Sequence, residues 1–255
     1  MSDPIQQLAD VLLQARTEQL PRDASAWADS LHTQEQAYAV QQLVAQGAQW
    51  WSGQTPRYWK AGSPDAATPL TFAPLPPQGV SESPAHVAQQ PWFRRGIEVE
   101  IALRLGRDID AQTAHQLTPE HIHDCIDGVA AAVEIVDFRW QQGMDAPALL
   151  KLADLQSHGG LVLGPWQPFR AQDWAKQTGQ VCIGQQAPFA FTGTHSLGDP
   201  FRVVLGWLQH ATHHYGTLLA GSVVTTGTWC GLLYAEAGDH VSAVMDGWGE
   251  VHVQF

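Results

Sequence analysis

Cysteine is scarce in this 255-residue chain: Cys125, Cys182 and Cys230 are odd in number, far apart and outside any Cys-x-x-Cys spacing. A disulfide scaffold and a cysteine zinc site gain no support from that pattern, and a reducing, cytoplasmic setting is expected. Basic residues are also few, 13 Lys and Arg against 25 Asp and Glu, for a formal net charge of −12. Such a balance argues against nucleic acid or an anionic membrane surface as a partner. A small anionic substrate would need a local positive centre, either a metal ion or a lysine. No apolar run is long enough to span a bilayer, and Met1-Ser-Asp-Pro-Ile-Gln-Gln7 lacks the basic and apolar regions of a signal peptide. Internal repeats are missing too.

What is present centres on Gly96 to Asp108. Ile97, Val99, Ile101, Leu103 and Leu105 alternate with Glu98, Glu100, Ala102 and Arg104, a period-two pattern that predicts a strand with one apolar face. Glu98 and Glu100 share the other face with Cα atoms about 7 Å apart, where they can converge on one divalent cation. On this stretch alone a solvated face, with Arg104 partnering Glu100, is the better reading. Glu134 shifts the balance. It lies in Val129–Asp137, whose only other charged residue is the terminal Asp137, and a carboxylate in so apolar a run needs a cation or strong donors. Three carboxylates suit a hard cation such as Mg²⁺ or Mn²⁺.

Along the chain, Asp3-Pro4 starts a helix with Ile5, Leu8, Leu12 and Ala15 on one face. A capping box at Thr33–Gln36 starts a second, expected to stop near Gly53. Lys60 sits between Trp59 and Ala61 in a short strand. Desolvation among aromatics would lower its pKa and suit it to proton exchange, but from these residues alone the better reading is a stem covering Trp59 with the ammonium in water. The proline-rich stretch from Pro64 to Pro84 reads as an irregular connection covering a site, or as a linker.

Thr118-Pro119-Glu120 starts another predicted helix, with Cys125 packed on its face, and leads into the strand of Glu134. A hairpin is expected over Gln180–Ile183 and Phe189–Thr192, and a helix from Asp199-Pro200 to Tyr215, closed by Gly216. His210, His213 and His214 share a face of that helix, read as solvated and polar rather than as a zinc site. Short strands at Ser222–Thr226, Val241–Met245 and Val251–Phe255 complete a β-roll or sandwich.

Taken together, Trp59-Lys60-Ala-Gly62, Glu98-Val-Glu100-Ile-Ala-Leu, Val133-Glu134-Ile-Val-Asp137, Ala153-Asp154 with Ser157 and Gly159, Leu197-Gly-Asp-Pro200, Thr226-Gly227 and Ala237-Gly238-Asp239 resemble the fumarylacetoacetate hydrolase superfamily. The similarity is to its 2-hydroxypenta-2,4-dienoate (2-keto-4-pentenoate) hydratase and 4-oxalocrotonate decarboxylase branch. The resemblance implies an α+β fold: a small helical or mixed N-terminal domain over residues 1–85 and a C-terminal mixed β-roll over 86–255. It implies Glu98, Glu100 and Glu134 as ligands of Mg²⁺ or Mn²⁺, Lys60 as the catalytic residue, and Gly62, Ser63, Asp154 and Ser157 in substrate binding. The implied activity is a metal-dependent lyase reaction on a 2-oxo acid or its enol, hydration first and decarboxylation second. C–C bond hydrolysis, tautomerisation and a non-catalytic metabolite-binding role are the alternatives. A homo-oligomer is expected, with association to a pathway decarboxylase as a further option. One departure stands out: Pro77 and Gln78 occupy the place of an acidic residue in the hydratases. His158 and His195 are candidates for a substitute base, and each also reads as an ordinary loop histidine.

Overall fold

Helices form where the chain supplies both a start signal and one apolar stripe. The computed structural model describes residues 3–255; Met1 and Ser2, which open the stretch read as carrying no leader, lie outside them. Helix α1 (Pro4–Glu18) begins on Asp3, whose side chain accepts from the Ile5 N–H, and buries Leu8, Ala9, Leu12 and Ala15. Helix α2 (Gln34–Gly47) opens on the capping box of Thr33 and Gln36. It stops short of Gly53 because Gln49 turns left-handed (φ 53°) and the Trp50 N–H bonds back to the Ala45 carbonyl.

The strands follow as β1 (Tyr58–Gly62), β2 (Thr71–Leu75), β3 (Val80–Glu82), β4 (Ala85–His86), β5 (Gly96–Leu105), β6 (Ile126–Val136), β7 (His158–Leu163), β8 (Gln167–Pro168), β9 (Thr178–Ile183), β10 (Phe189–Thr192), β11 (Val223–Thr228), β12 (Leu233–Tyr234), β13 (His240–Met245) and β14 (Gly249–Gln254). Among the described residues they form a nine-stranded mixed sheet, ordered β2-β1-β11-β5-β6-β7-β3 with β12 beside β5 and β8 beside β6. A second sheet of five strands runs β10-β9-β13-β14-β4. Strands β5 and β6 are the long antiparallel pair at the centre. Ile97, Val99, Ile101 and Leu103 are fully buried, and so is nearly all of β6. Burial on both sides explains why β6 is a continuous apolar run. The second sheet lies against β6 through β13 and β14, and Val241, Ala243, Val251 and Val253 join its core.

This sheet crosses the division expected at residue 85. Strand β1 pairs in parallel with β11, β2 pairs with β1, and β3 pairs with β7. Short strands are not stable alone, so Tyr58–Glu82 takes partners from the second half of the chain. Helix α3 (Ala111–Gln116) precedes a 3₁₀ stretch, Pro119–Cys125, where an α-helix was expected. Only seven residues remain there before β6 begins, too few to nucleate an α-helix well. Cys125 is buried as expected. Helix α4 (Ala148–Ala153) lies after β6, and α5 (Val204–Tyr215) follows a 3₁₀ turn at Pro200–Val203 and ends at Gly216. The polar face expected on α5 is largely packed: His210 stacks on Phe72 at 4.8 Å and lies 4.4 Å from Tyr38, leaving His213 as the exposed member.

Candidate metal centre

Register brings the acids together. Glu98 on β5 stands directly opposite Glu134 on β6, and Glu100 follows two residues along the same face. Each of the three offers a carboxylate oxygen, and these oxygens lie within 4.8 Å of one another, the one such group of potential metal ligands among the described residues. Like charges placed opposite each other destabilise a strand pair. Two of them are also withdrawn from water, Glu134 at 0% exposed and Glu100 at 2%, while Glu98 is half-buried.

Lys60 reaches the same point from β1. Three strand spacings separate β1 from β6, about 14 Å in a flat sheet. The Lys60 ammonium nevertheless donates to Glu134 Oε1 at 2.7 Å, so the sheet curls around this face. Lys60 also donates to the Gln156 carbonyl at 3.2 Å. His158 Nδ1 lies 3.0 Å from Glu134 Oε1. Glu134 Oε2 is buried and has no hydrogen-bond partner among the described residues. Glu100 Oε2 accepts from the Gly227 N–H at 2.8 Å. Gly227 occupies the irregularity in β11 between Thr225 and Thr228, at φ 110°, a conformation for which glycine is the natural residue.

The electrostatics follow from crowding. Burial raises the Glu98 pKa to about 8, with Lys60 opposing and the other two carboxylates adding to the rise. Burial and then Glu134 raise that of Glu100 to about 7. For Lys60 burial pulls downward, but Glu134, Glu98 and Glu100 together outweigh it and lift the pKa above the ordinary lysine value. A lowered Lys60 pKa was one expectation, and the geometry reverses it. Trp59 is a neighbour in sequence, but alternation turns it to the opposite face, into the core. Lys60 itself faces acids. It is 8% exposed and so does not extend into water. Burial, then the charges of Lys60, Arg16 and Arg139, push the His158 pKa far down, which makes it a neutral imidazole. The bond to Glu134 then assigns the proton to Nδ1.

A cavity of about 560 Å³ opens over this face, and Lys60, Glu98, Glu100, Ser157 and Gly227 are among the residues lining it. Gly62 and Ser63 also reach it, together with Pro64 and Pro69, so part of the proline-rich connection covers the site. The Ser63 hydroxyl is engaged locally, with the carbonyls of Asp65 and Thr68. Ser157 ends a run of three left-handed residues, Leu155, Gln156 and Ser157, with φ of 53°, 54° and 62°. Asp154 does not reach the cavity. It is 1% exposed and gripped by Arg139 Nε at 2.7 and 2.9 Å and by Arg16 at 2.8 Å. The substrate contact expected of it is replaced by a support beneath the turn. Gln78 is exposed and off the cavity wall. His195 is turned to the Thr226 carbonyl at 2.8 Å, bracing the β11 irregularity.

From sequence His158 reads as a loop histidine or a substitute base, and the Gly227 N–H, Arg16 and Arg139 carry no signal of a role at the site. Thr226-Gly227 was visible as a motif. Nothing in the spacing of Arg16, Arg139 and Asp154, however, signals that they meet.

A hard divalent cation fits this donor set: three converging carboxylates, one with an orphaned buried oxygen, and pKa values raised by burial at Glu98 and Glu100. Fold and site together define a curled mixed-sheet protein with three converging carboxylates beneath a cavity. Residues 51–255 match the fumarylacetoacetate (FAA) hydrolase C-terminal family, and the chain belongs to it. A 2-hydroxyhexa-2,4-dienoate hydratase of Comamonas testosteroni is 29% identical over 163 residues, which cover 62% of this chain and 59% of that enzyme. The match thus spans less than two thirds of the hydratase. The fold matches that of 4-oxalocrotonate decarboxylase from Pseudomonas putida G7, solved with magnesium and adipate, with a TM-score of 0.84 at 17% identity over 98% of this chain and 97% of that one. The same decarboxylase solved with calcium and acetate aligns with a TM-score of 0.82 at 17% identity, over 98% and 96% of the two chains.

Proposed function

We propose that the protein is a divalent-cation-dependent lyase acting on a 2-oxo acid or its enol, with hydration of a 2-hydroxy-2,4-dienoate as its reaction. The observation that carries this reading is the convergence of Glu98, Glu100 and Glu134 within 4.8 Å at a cavity floor that also holds Lys60. The hydratase relative supports the substrate class. Glu98, Glu100 and Glu134 would hold Mg²⁺ or Mn²⁺. When bound, the cation supplies positive charge against which the oxygens of a 2-oxo acid can carry negative charge.

The chain's own part is positioning and proton movement. Lys60 Nζ holds a proton between Glu134 Oε1 and the Gln156 carbonyl. A bound divalent cation would offset two of the three carboxylate charges that lift the Lys60 pKa, leaving burial, which lowers it, as the larger influence. Lys60 would then give up its proton more readily, protonating the dienol carbon on ketonisation and recovering a proton from the enol hydroxyl. Ser157 stands on the cavity wall beside it to orient the ligand.

Decarboxylation is the second reading, favoured by one observation. Gln78 stands exposed where the hydratases carry an acid, and loss of carbon dioxide requires the same electron sink but no activated water. Assay of the purified protein on 2-hydroxypenta-2,4-dienoate with Mg²⁺ or Mn²⁺ tests both. Loss of the diene absorbance with formation of a 4-hydroxy-2-oxo acid, abolished by EDTA and by Glu98→Gln, is the expected result. Carbon dioxide release from an oxalocrotonate-type acid, without hydration, would select the second reading. Cation-dependent binding with no turnover of any 2-oxo acid would make the protein a metabolite binder.

A further inference from the structure

Two donors meet on one oxygen of Glu134. Lys60 Nζ lies 2.7 Å from Oε1 and His158 Nδ1 lies 3.0 Å from the same atom, while Oε2 is buried without a partner among the described residues. A carboxylate oxygen offers about two lone-pair sites, so Oε1 is filled and Oε2 alone is left for a cation. Lys60 cannot keep Oε1 filled by itself, because a lysine that moves a proton gives up a donor. His158 supplies a bond to Oε1 that does not depend on Lys60.

The imidazole reaches this face through an irregularity in the sheet. Strand β7 pairs with β6 at Leu161–Glu134 and Gly160–Ile135, then skips Gly159, so that His158 stands opposite Val136. Alternation along β6 puts Val136 on the face of Glu134, and His158 with it. A regular ladder would have turned the imidazole to the other side. Gly159 permits the step: a Cβ there would come within 2.7 Å of the Asp137 Cβ and 2.9 Å of the Ile135 carbonyl oxygen. His158 is 1% exposed, stands off the cavity wall, and leaves Nε2 near Gly79 without a partner among the described residues. It touches the carboxylate and not the ligand space.

We propose that His158 is a positioning residue that holds Glu134 to one coordinating oxygen, and that it thereby makes the centre prefer Mn²⁺ or Mg²⁺ to Ca²⁺. The inference rests on the three-carboxylate metal reading above and goes beyond it to what orients one ligand. A small octahedral cation is served by single oxygens, whereas Ca²⁺ also takes carboxylates through both oxygens. A Glu134 freed from His158 can offer both. The test is titration calorimetry of the full chain with Mn²⁺ and with Ca²⁺. His158→Leu removes the donor and keeps an apolar side chain in the buried position. It should weaken Mn²⁺ binding by about 10–100-fold, the range for losing such a partner, and change Ca²⁺ binding much less. His158→Asn, whose side-chain amide places an N–H near the Nδ1 position, should recover most of the loss. Equal weakening of both ions in His158→Leu, or an unchanged Mn²⁺ affinity, would overturn the inference and make His158 a packing residue. Nitrogen-15 NMR of the unmutated, histidine-labelled chain gives a second readout that no folding defect can obscure. It should show a neutral imidazole protonated at Nδ1, with and without Mg²⁺; the absence of any such imidazole would also overturn the inference. Failure of the unmutated chain to bind either cation would overturn the metal reading and this inference together.

Discussion

Glu134 carries an imbalance that a cation would correct. Its Oε1 accepts from Lys60 and lies within hydrogen-bond distance of His158, whereas Oε2 is buried without a partner, a condition that costs about 1–3 kcal/mol for such a group. Lys60 partly offsets the three negative charges and so competes with any metal ion for them. Replacing it with an uncharged side chain of similar length separates its two possible roles. Lys60→Met should leave Mn²⁺ affinity unchanged or raise it by up to about tenfold, through loss of a competing charge. Turnover of the dienoate should fall by about 10²–10⁴, the range for losing a general acid. Titration calorimetry and steady-state kinetics on the same preparation check this. A variant that loses metal binding along with turnover would show that Lys60 builds the centre instead of moving a proton.

At the scale of single elements, the turn Leu155–Ser157 is the costly one, since left-handed backbone is disfavoured by roughly 1–2 kcal/mol per non-glycine residue. It persists because Asp154 is clamped from two sides, by Arg139 from the segment after β6 and by Arg16 from α1. The product is a Ser157 held on the cavity wall and a Gln156 carbonyl aimed at Lys60. Arg16→Met removes one side of the clamp at a distance from the cavity. Ligand affinity should drop several-fold with Mn²⁺ affinity preserved, and Arg16→Lys should recover most of the loss. Equal loss of both affinities in Arg16→Met would point to general destabilisation. The strand elements were legible for a local reason: alternation put Glu98 and Glu100 on one face of β5, and apolar continuity in β6 set Glu134 apart from solvated acids. The turn was not, because Asp154-Leu-Gln-Ser157 contains no glycine or asparagine to announce left-handed backbone, and its arginines come from 15 and 138 residues away. His158 was hidden by the register irregularity between Ile135 and Val136, which decides the face it takes against β6.

Across the whole molecule, long-range pairing decides what the sequence could not. Residues 58–82 look like the end of an N-terminal unit until β1 finds β11 and β3 finds β7, which closes the curl that brings Lys60 to the acids. No helix among the described residues is long and apolar enough to cross a membrane. Folding therefore gathers three carboxylates that the unfolded chain keeps apart, and this makes stability depend on both pH and metal. Glu98 and Glu100 have folded-state pKa values raised to about 8 and about 7, above the ordinary glutamate value of 4.5, first of all by burial. Between those limits the folded state binds more protons than the unfolded chain. The contribution of these groups is thus fully present below pH 4.5 and is lost as pH rises through 7 to 8. A divalent cation replaces those protons and binds the folded state, so its stabilisation should grow over the same window. Metal-free protein followed by calorimetry should lose Tm from pH 5 to pH 8 by several degrees, at about 2–4 °C per kcal/mol for a chain of this size. Millimolar Mn²⁺ should raise Tm far more at pH 8 than at pH 5. A metal shift that is the same at both pH values would mean that the carboxylates are not the ligands, since no proton would then be displaced on binding.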